Sequence, residues 1–241
     1  MIPLSKALTG AVLKKRPSSA GGLSAKKEKA IKLIYDRLYG RYGPQGWWPA
    51  QTRVEMIVGA VLTQNTSWSN VEKAIKNLKR SGSMSHGRIL KMDEKKLASL
   101  IKPSGYYNLK ARRLRNVIKL FAGDRRFRKG SALDIGRLRE VLLSINGVGP
   151  ETCDSILLYA FDMPVFVIDA YTRRIFSRHG VASHDLPYGD LQRVFMQALP
   201  VDCKIFNEYH ALIVRLAKEH CRKLPRCAAC PLNKKELFFK K

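Results

Sequence analysis

The stretch from Leu142 to His179 constrains this chain more than any other. It opens Leu142-Leu143-Ser144-Ile145-Asn146-Gly147-Val148-Gly149-Pro150-Glu151-Thr152. Two glycines flank one small apolar residue. Pro150 then falls at the first position of a helix, where a missing N–H costs nothing. A turn of this kind between two helices presents backbone N–H groups beside the positive end of a helix dipole, a ready site for a phosphate oxygen. Twenty residues after Gly149, behind the β-branched run Val167-Ile168, comes Asp169, placed as the N-cap of a further helix. The same residues also suit an ordinary helical hairpin, followed by a capped helix whose aspartate pairs with Arg173 four positions on.

Charge narrows the choice of partner. Lys and Arg number 45 against 19 Asp and Glu, a formal charge of +26 on 241 residues. Self-repulsion of that size is costly unless a polyanion is the partner, and nucleic acid is the expected one, ahead of an anionic membrane surface. No apolar run approaches the roughly 20 residues that span a bilayer. The five cysteines are an odd number and point to thiols or metal ligands in a reducing compartment rather than to a disulfide frame.

Hydrophobic content of 45% and the length allow one large or two small domains with real cores. Residues 1–24 are rich in Ser, Gly and Lys and read as a flexible basic tail that touches phosphates non-specifically, with a basic transit-type segment as the alternative. Apolar positions then recur at helical spacing: Ala30, Ile31, Ile34, Tyr35 and Leu38, with Gly40 as the stop; Val54, Ile57, Val58, Val61 and Leu62; Val71, Ile75 and Leu78. Further helices are expected over Leu133–Ser144, Glu151–Phe161, His184–Leu199 and Ile205–His220, and within Leu97–Leu120 one starts after a Pro-Ser-Gly turn. No alternating pattern and no βαβ repeat occurs, so the chain is predicted to be all-α, with about ten helices.

Four features lie between these helices. Trp47 and Trp48 are adjacent in the loop Tyr42-Gly43-Pro44-Gln45-Gly46-Trp47-Trp48-Pro49. They read either as a cap between two helices or as flat faces that hold an extruded base. Leu62-Thr63-Gln64-Asn65-Thr66-Ser67-Trp68 interrupts two apolar stripes with a polar run. Lys102-Pro103-Ser104-Gly105-Tyr106-Tyr107-Asn108 is a turn before a helix start rich in Lys110, Arg112, Arg113 and Arg115, which also suit a solvated face. Cys221-x5-Cys227-x2-Cys230-Pro231 closes the series.

Together these motifs resemble the endonuclease III superfamily of DNA glycosylases, with its helix-hairpin-helix, its Gly/Pro-rich loop and its aspartate. The resemblance covers about residues 30–220. It implies two helical domains with a cleft between them: a helix-hairpin-helix domain over 52–163, and a second domain joining 25–51 to 164–241. It implies that Gly147, Val148 and Gly149 grip the DNA backbone, that Gln64 fills the gap left by a flipped nucleotide, and that Tyr106 wedges into the duplex. Gln64 also suits turn hydrogen bonding, and Tyr106 with Tyr107 suits helix anchoring. It implies that Asp169 stabilises the cationic sugar formed as the glycosidic bond breaks. Trp47, Trp48 and Trp68 are the candidate base pocket.

Two departures from the family pattern matter. Bifunctional members carry a nucleophilic lysine two residues after the second hairpin glycine. Glu151 stands there, and a carboxylate forms no imine. Base release without strand cleavage is therefore expected, with no cofactor needed for the chemistry. The iron–sulfur loop of the family uses four thiolates. Here Cys221, Cys227 and Cys230 remain, the first gap is one residue short, and Glu236 takes the fourth place. Either a degenerate cluster or a metal-free loop follows.

Trp47-Trp48-Pro49, Leu62-Thr63-Gln64-Asn65-Thr66, Pro103-Ser104-Gly105-Tyr106-Tyr107-Asn108 and Glu151 are most similar to the 3-methyladenine glycosylases of endonuclease III type. The leading expectation is a monofunctional base-excision repair glycosylase for alkylated purines, a cytoplasmic monomer (nucleoid-associated in a bacterium) acting on damaged double-stranded DNA and on no membrane. One alternative is a glycosylase for oxidised pyrimidines or mismatched bases. The other is a non-catalytic helix-hairpin-helix DNA-binding protein, in which Asp169 would have no task.

Overall fold

Ala30, Ile31, Ile34, Tyr35 and Leu38 are the buried face of the first helix, α1 (Ala25–Tyr42), in the computed structural model of the chain. The structure describes residues 24–47, 50–123 and 134–233. The basic tail apart from Ser24, together with Trp48 and Glu236, lies outside them. The helix runs through Gly40 and ends at Gly43, whose φ of 65° places it in the left-handed region. Gly40 adopts no positive φ, so it costs helix propensity without forcing a stop.

The remaining elements are α2 (Arg53–Leu62), α3 (Trp68–Arg80), α4 (His86–Lys91), α5 (Glu94–Leu100), a 3₁₀ turn (Lys102–Ser104), α6 (Tyr107–Gly123), α7 (Ile135–Leu143), α8 (Pro150–Phe161), α9 (Ala170–Arg178), α10 (Tyr188–Ala198) and α11 (Cys203–Glu219). The described residues are all-helical and contain no strand. They fall into two compact units, one drawn from 1–47 and 164–241, the other from 48–163.

The first unit is built on aromatic packing. α10 and α11 both pack on α1, and α9 packs on α11. Phe166 stacks on Phe195 at 4.3 Å, and Phe176 meets Phe195 edge-on at 4.6 Å. Tyr209 lies among them and donates its hydroxyl to the Ile31 carbonyl at 2.7 Å, so the buried phenol has a partner.

The second unit is built around α2, which packs on both α8 and α6 and is buried from Ile57 to Leu62. A helix apolar on nearly all sides belongs in a core. Thr52 caps it by accepting from the Glu55 N–H at 3.2 Å. Glu55 accepts from the Gln51 N–H and pairs with Lys79 at 2.7 Å, which accounts for a carboxylate only 5% exposed. α7 is joined to α8 by Arg139 and the buried Asp154, with Nε to Oδ1 at 2.8 Å.

Candidate active site and DNA-binding elements

The hairpin turn in the second unit has the geometry its glycines require. Gly147 sits at φ 93°, where a side chain would be strained. A Cβ there would also lie 2.6 Å from Arg113 Cδ. Val148 is turned inward and buried, and its N–H donates to the Ile145 carbonyl at 3.0 Å. Gly149 is the N-cap of α8, Pro150 follows, and nothing lies within 4 Å of a Cβ built on Gly149. The N–H groups of the first turn therefore open onto space that a phosphate can approach. Glu151 is exposed in that turn, at the position the family's nucleophilic lysine would hold.

Gln64 is held against this turn. Its Nε2 donates to the Gly147 carbonyl and to Thr152 Oγ1, both at 2.9 Å. Its Oε1 accepts from Arg113 Nη1 at 2.6 Å. The next residue, Asn65, is exposed and has φ 52°. Tyr106, at the tip of the other loop, is 72% exposed with φ 45°, and Leu109 one turn later is also exposed. A tyrosine in left-handed backbone is strained, and such strain persists where the surroundings impose it.

Lys110 supplies that imposition. It belongs to the basic run that also suited a solvated face, yet it is 1% exposed. Its Nζ donates to the Leu62 carbonyl at 2.8 Å and to the Ser104 carbonyl at 2.6 Å. One ammonium thus ties the end of α2, which leads into Gln64 and Asn65, to the 3₁₀ turn that leads into Tyr106. Burial, and secondarily the charge of Arg113, push its pKa down to about 8. Arg115 is also bound, donating to the Met92 carbonyl. Arg112 alone of the four is exposed, with Glu94 at 3.9 Å.

Asp169 lies in the first unit, as the N-cap of α9. Oδ1 accepts from the Thr172 N–H and from Thr172 Oγ1, both at 2.7 Å. Oδ2 lies 3.4 Å from His210 Nε2. Burial alone would raise this carboxyl pKa, but His210 and the two Thr172 bonds outweigh it and hold the group below the ordinary carboxylate value. A buried, ionised carboxylate is the result. Arg173 is not its partner: that guanidinium reaches the His184 and Leu186 carbonyls instead.

The tryptophan loop is fastened to α11. The Gln45 N–H donates to Glu208 Oε1 at 2.8 Å, and Arg215 donates to Gln45 Oε1 at 3.2 Å while lying over the Tyr42 ring. Burial outweighs the Gln45 bond and raises the Glu208 pKa. Trp47 meets His210 edge-on, with ring centroids 6.3 Å apart and planes at 85°. Lys218 Nζ stands 5.9 Å from the Trp47 ring centroid. Trp47 is therefore grouped with His210 and Asp169. Trp68 belongs to the second unit, where its indole N–H donates to Glu72 at 2.9 Å.

The three cysteines of the tail converge. Cys221, Cys227 and Cys230 line one hollow of about 300 Å³ with His179 and His220. Arg178 donates to Cys221 Sγ at 3.4 Å and to the Arg222 and Lys223 carbonyls, fixing the loop. Cys203 starts α11 and Cys221 follows its end, so the whole helix separates them. Among the described residues, no three His, Cys, Asp or Glu side chains meet as ligands of a single metal ion. The set supplies three thiols toward an iron–sulfur cluster that takes four ligands, and so fits it only in part.

Sequence reasoning did not single out His210, Lys110 as a buried residue, or Thr172. Asp169-x-x-Thr172 is a readable capping pattern, and Glu208 with His210 stands out as polar within an apolar helix. Nothing in the spacing of Lys110 distinguishes it from its arginine neighbours.

The model of the HhH-GPD superfamily base excision DNA repair proteins matches residues 58–200, and the chain belongs to that family. It is 51% identical over 210 residues to a protein of Methanocaldococcus jannaschii provisionally named a DNA repair glycosylase, covering 86% of this chain and 96% of that one. Endonuclease III of Sulfolobus acidocaldarius is 28% identical, over 73% of this chain and 78% of its own. Among solved structures, the H. pylori 3-methyladenine DNA glycosylase bound to 1,N6-ethenoadenine matches with a TM-score of 0.64 and 29% identity, covering 82% and 96%. An endonuclease III–DNA complex matches with a TM-score of 0.73 and 20% identity, covering 87% and 96%, which speaks to the fold alone. The chain is a DNA glycosylase of the endonuclease III superfamily.

Proposed function

We propose that this glycosylase is monofunctional: it hydrolyses the bond between a damaged base and its deoxyribose and leaves the strand intact. The observation that carries the hydrolysis is Asp169, a buried carboxylate held ionised with one oxygen tied to Thr172 and the other beside His210. As the glycosidic bond breaks, its electron pair leaves with the base and positive charge develops on the sugar. A fixed anion lowers the energy of that charge and orients the attacking water. Water then adds to the anomeric carbon, giving a free base and an abasic site. Glu151 supplies no amine for the competing imine route. The turn of Gly147, Val148 and Gly149 presents the open N–H groups at the start of α8 to the phosphodiester, while the loops of Gln64 and Tyr106 enter the duplex of a damaged DNA partner.

Alkylated purines are the substrate class this reading favours. The four motifs shared with 3-methyladenine glycosylases support it, as does the 29% identity to an enzyme of that kind bound to an etheno-purine. One observation favours a second reading, a neutral mismatched or oxidised base: Lys218 already stands over Trp47, and a second cation on that ring would be repelled. The cysteine loop, with three thiols, is read as a degenerate form of the family's cluster loop, outside the chemistry. Iron content and visible absorption of the purified protein test that part.

The deciding experiment presents the protein with duplexes bearing methylated, etheno, oxidised, deaminated and mismatched bases, with and without hot alkali. Base release from the alkylated purines, with nicks only after alkali and no borohydride-trapped adduct, is expected. A trapped covalent band would overturn the monofunctional reading, and preference for a neutral base would overturn the substrate class.

A further inference from the structure

Three distant stretches of the first unit meet at one imidazole. His210 lies in the middle of α11 and is 6% exposed. Its Nε2 is 3.4 Å from Asp169 Oδ2, and its ring takes the Trp47 ring edge-on. Its neighbours in sequence, Tyr209, Ala211, Leu212 and Ile213, are all buried apolar or aromatic residues. A leucine or phenylalanine would serve packing at position 210, and a buried polar ring is costly unless it is partnered. The polar group that faces it is the one carboxylate oxygen that the helix cap does not use, 3.4 Å away. Oδ1 carries both Thr172 bonds, so it sets where the carboxylate sits, while the neighbour of Oδ2 sets how that oxygen is turned.

We propose that His210 is a positioning residue for glycosidic cleavage: it fixes Asp169 Oδ2 in the orientation the developing sugar cation requires, and it joins that oxygen to the Trp47 wall. The proposal rests on the reading of Asp169 as the charge-stabilising carboxylate. An electrostatic stabiliser is effective only when it is already aimed, and a displacement of about 1 Å costs on the order of 100-fold in rate. His210 thus makes Asp169 and Trp47 one unit rather than two independent contributors.

The test uses the full chain and the duplex that the wild-type protein cleaves fastest. Single-turnover excision and duplex affinity are measured for His210→Phe, His210→Gln, Asp169→Asn and the double variant Asp169→Asn/His210→Phe. Phe fills the space and keeps an edge toward Trp47 but donates nothing. It should slow excision by on the order of 100-fold, with duplex affinity nearly unchanged. Gln, whose amide nitrogen takes the place of Nε2 and can donate to Oδ2, should recover part of that loss. The double variant should be no slower than Asp169→Asn alone, because His210 acts through the carboxylate.

A wild-type rate for His210→Phe would overturn the proposal, and so would losses that multiply in the double variant. If Asp169→Asn itself excises at the wild-type rate, the Asp169 reading fails instead. Should the Phe variant not fold, His210→Gln against His210→Ser decides, since serine is too short to reach Oδ2. Equal rates for those two would overturn the proposal.

Discussion

Arg113 Nη1 donates to Gln64 Oε1 at 2.6 Å, while the other end of the same amide grips the Gly147 carbonyl and Thr152. Gln64 is therefore a strut between α6 and the hairpin turn. Filling a gap in DNA would require it to break three hydrogen bonds. Asn65, exposed at φ 52°, can enter without that loss. Gln64→Ala should cost roughly 1–3 kcal/mol of stability, because the hairpin carbonyl and Arg113 lose their partner. Asn65→Gly keeps the left-handed backbone and removes only the side chain. It should leave the melting temperature nearly unchanged, yet slow excision by an amount that depends on the base opposite the lesion. Thermal melts beside single-turnover rates separate the two, and a wild-type rate for Asn65→Gly would return the gap-filling role to Gln64.

Lys110 links stability to pH. Its pKa is about 8 in the folded chain and near the ordinary lysine value of 10.5 in the unfolded one. Between those values the unfolded chain binds the extra proton, so stability rises with pH across the window, by at most about 3 kcal/mol. The neutral amine still has two hydrogens for its two carbonyl acceptors. Lys110→Met should abolish this rise and leave Leu62 and Ser104 with buried unpaired carbonyls, a loss of about 2–4 kcal/mol near pH 8. Melting curves from pH 8 to 10.5 on both proteins check the slope. A parallel rise in the variant would mean that another group titrates.

Asp169 titrates in the opposite sense. Its folded pKa lies below the unfolded value, so its contribution is full above about pH 4 and is lost as the pH falls through the folded value. Asp169→Asn keeps an oxygen for Thr172 and should fold, melting within a few degrees of wild type at neutral pH. Excision should fall by orders of magnitude, since the anion is gone. Its melting temperature should also vary less than that of the wild type below pH 4. Near wild-type turnover would remove Asp169 from the chemistry.

Trp47 and Lys218 together report on the charge of the base. Stacking contributes ~1–3 kcal/mol per base, and a buried cation–π contact adds about 1–2 kcal/mol. If the substrate is a cationic purine, Trp47→Ala should slow its excision more than that of any neutral base, and Lys218→Met should speed it by removing the competing charge. Equal losses on every substrate, tracking the melts of Trp47→Ala, would assign the indole to packing.

The helices and the hairpin were legible because their signals are local. Apolar spacing marks α1, α2, α3 and α11, and the Gly147–Pro150 turn declares itself by residue type. Asp169 was legible as a cap for the same reason. α4 was not, because a six-residue helix carries too few apolar positions to show a period. Gly40 misled, since glycine permits a stop without compelling one, and the stop fell at Gly43. Lys110 and His210 were hidden for a further reason: what distinguishes each is a partner 41 or more positions away, at Leu62 and Asp169, and spacing along the chain does not encode that meeting.

The first unit is assembled from both ends of the chain, and this sets an order of events during synthesis. α1 leaves the ribosome with Ile31, Ile34, Tyr35 and Leu38 exposed, and the helices that cover them lie beyond Pro164. The second unit is drawn from one uninterrupted stretch, 48–163, and can close first. At about 5–20 residues per second, the roughly 120 residues between Tyr42 and Pro164 take on the order of 6–24 s. Throughout that interval the apolar face of α1 is a binding site for chaperones or for other nascent chains. A ribosome-stalled chain ending near residue 163 should accordingly be protected from protease over α2–α8 and cut within α1, a pattern that equal protection of both would refute.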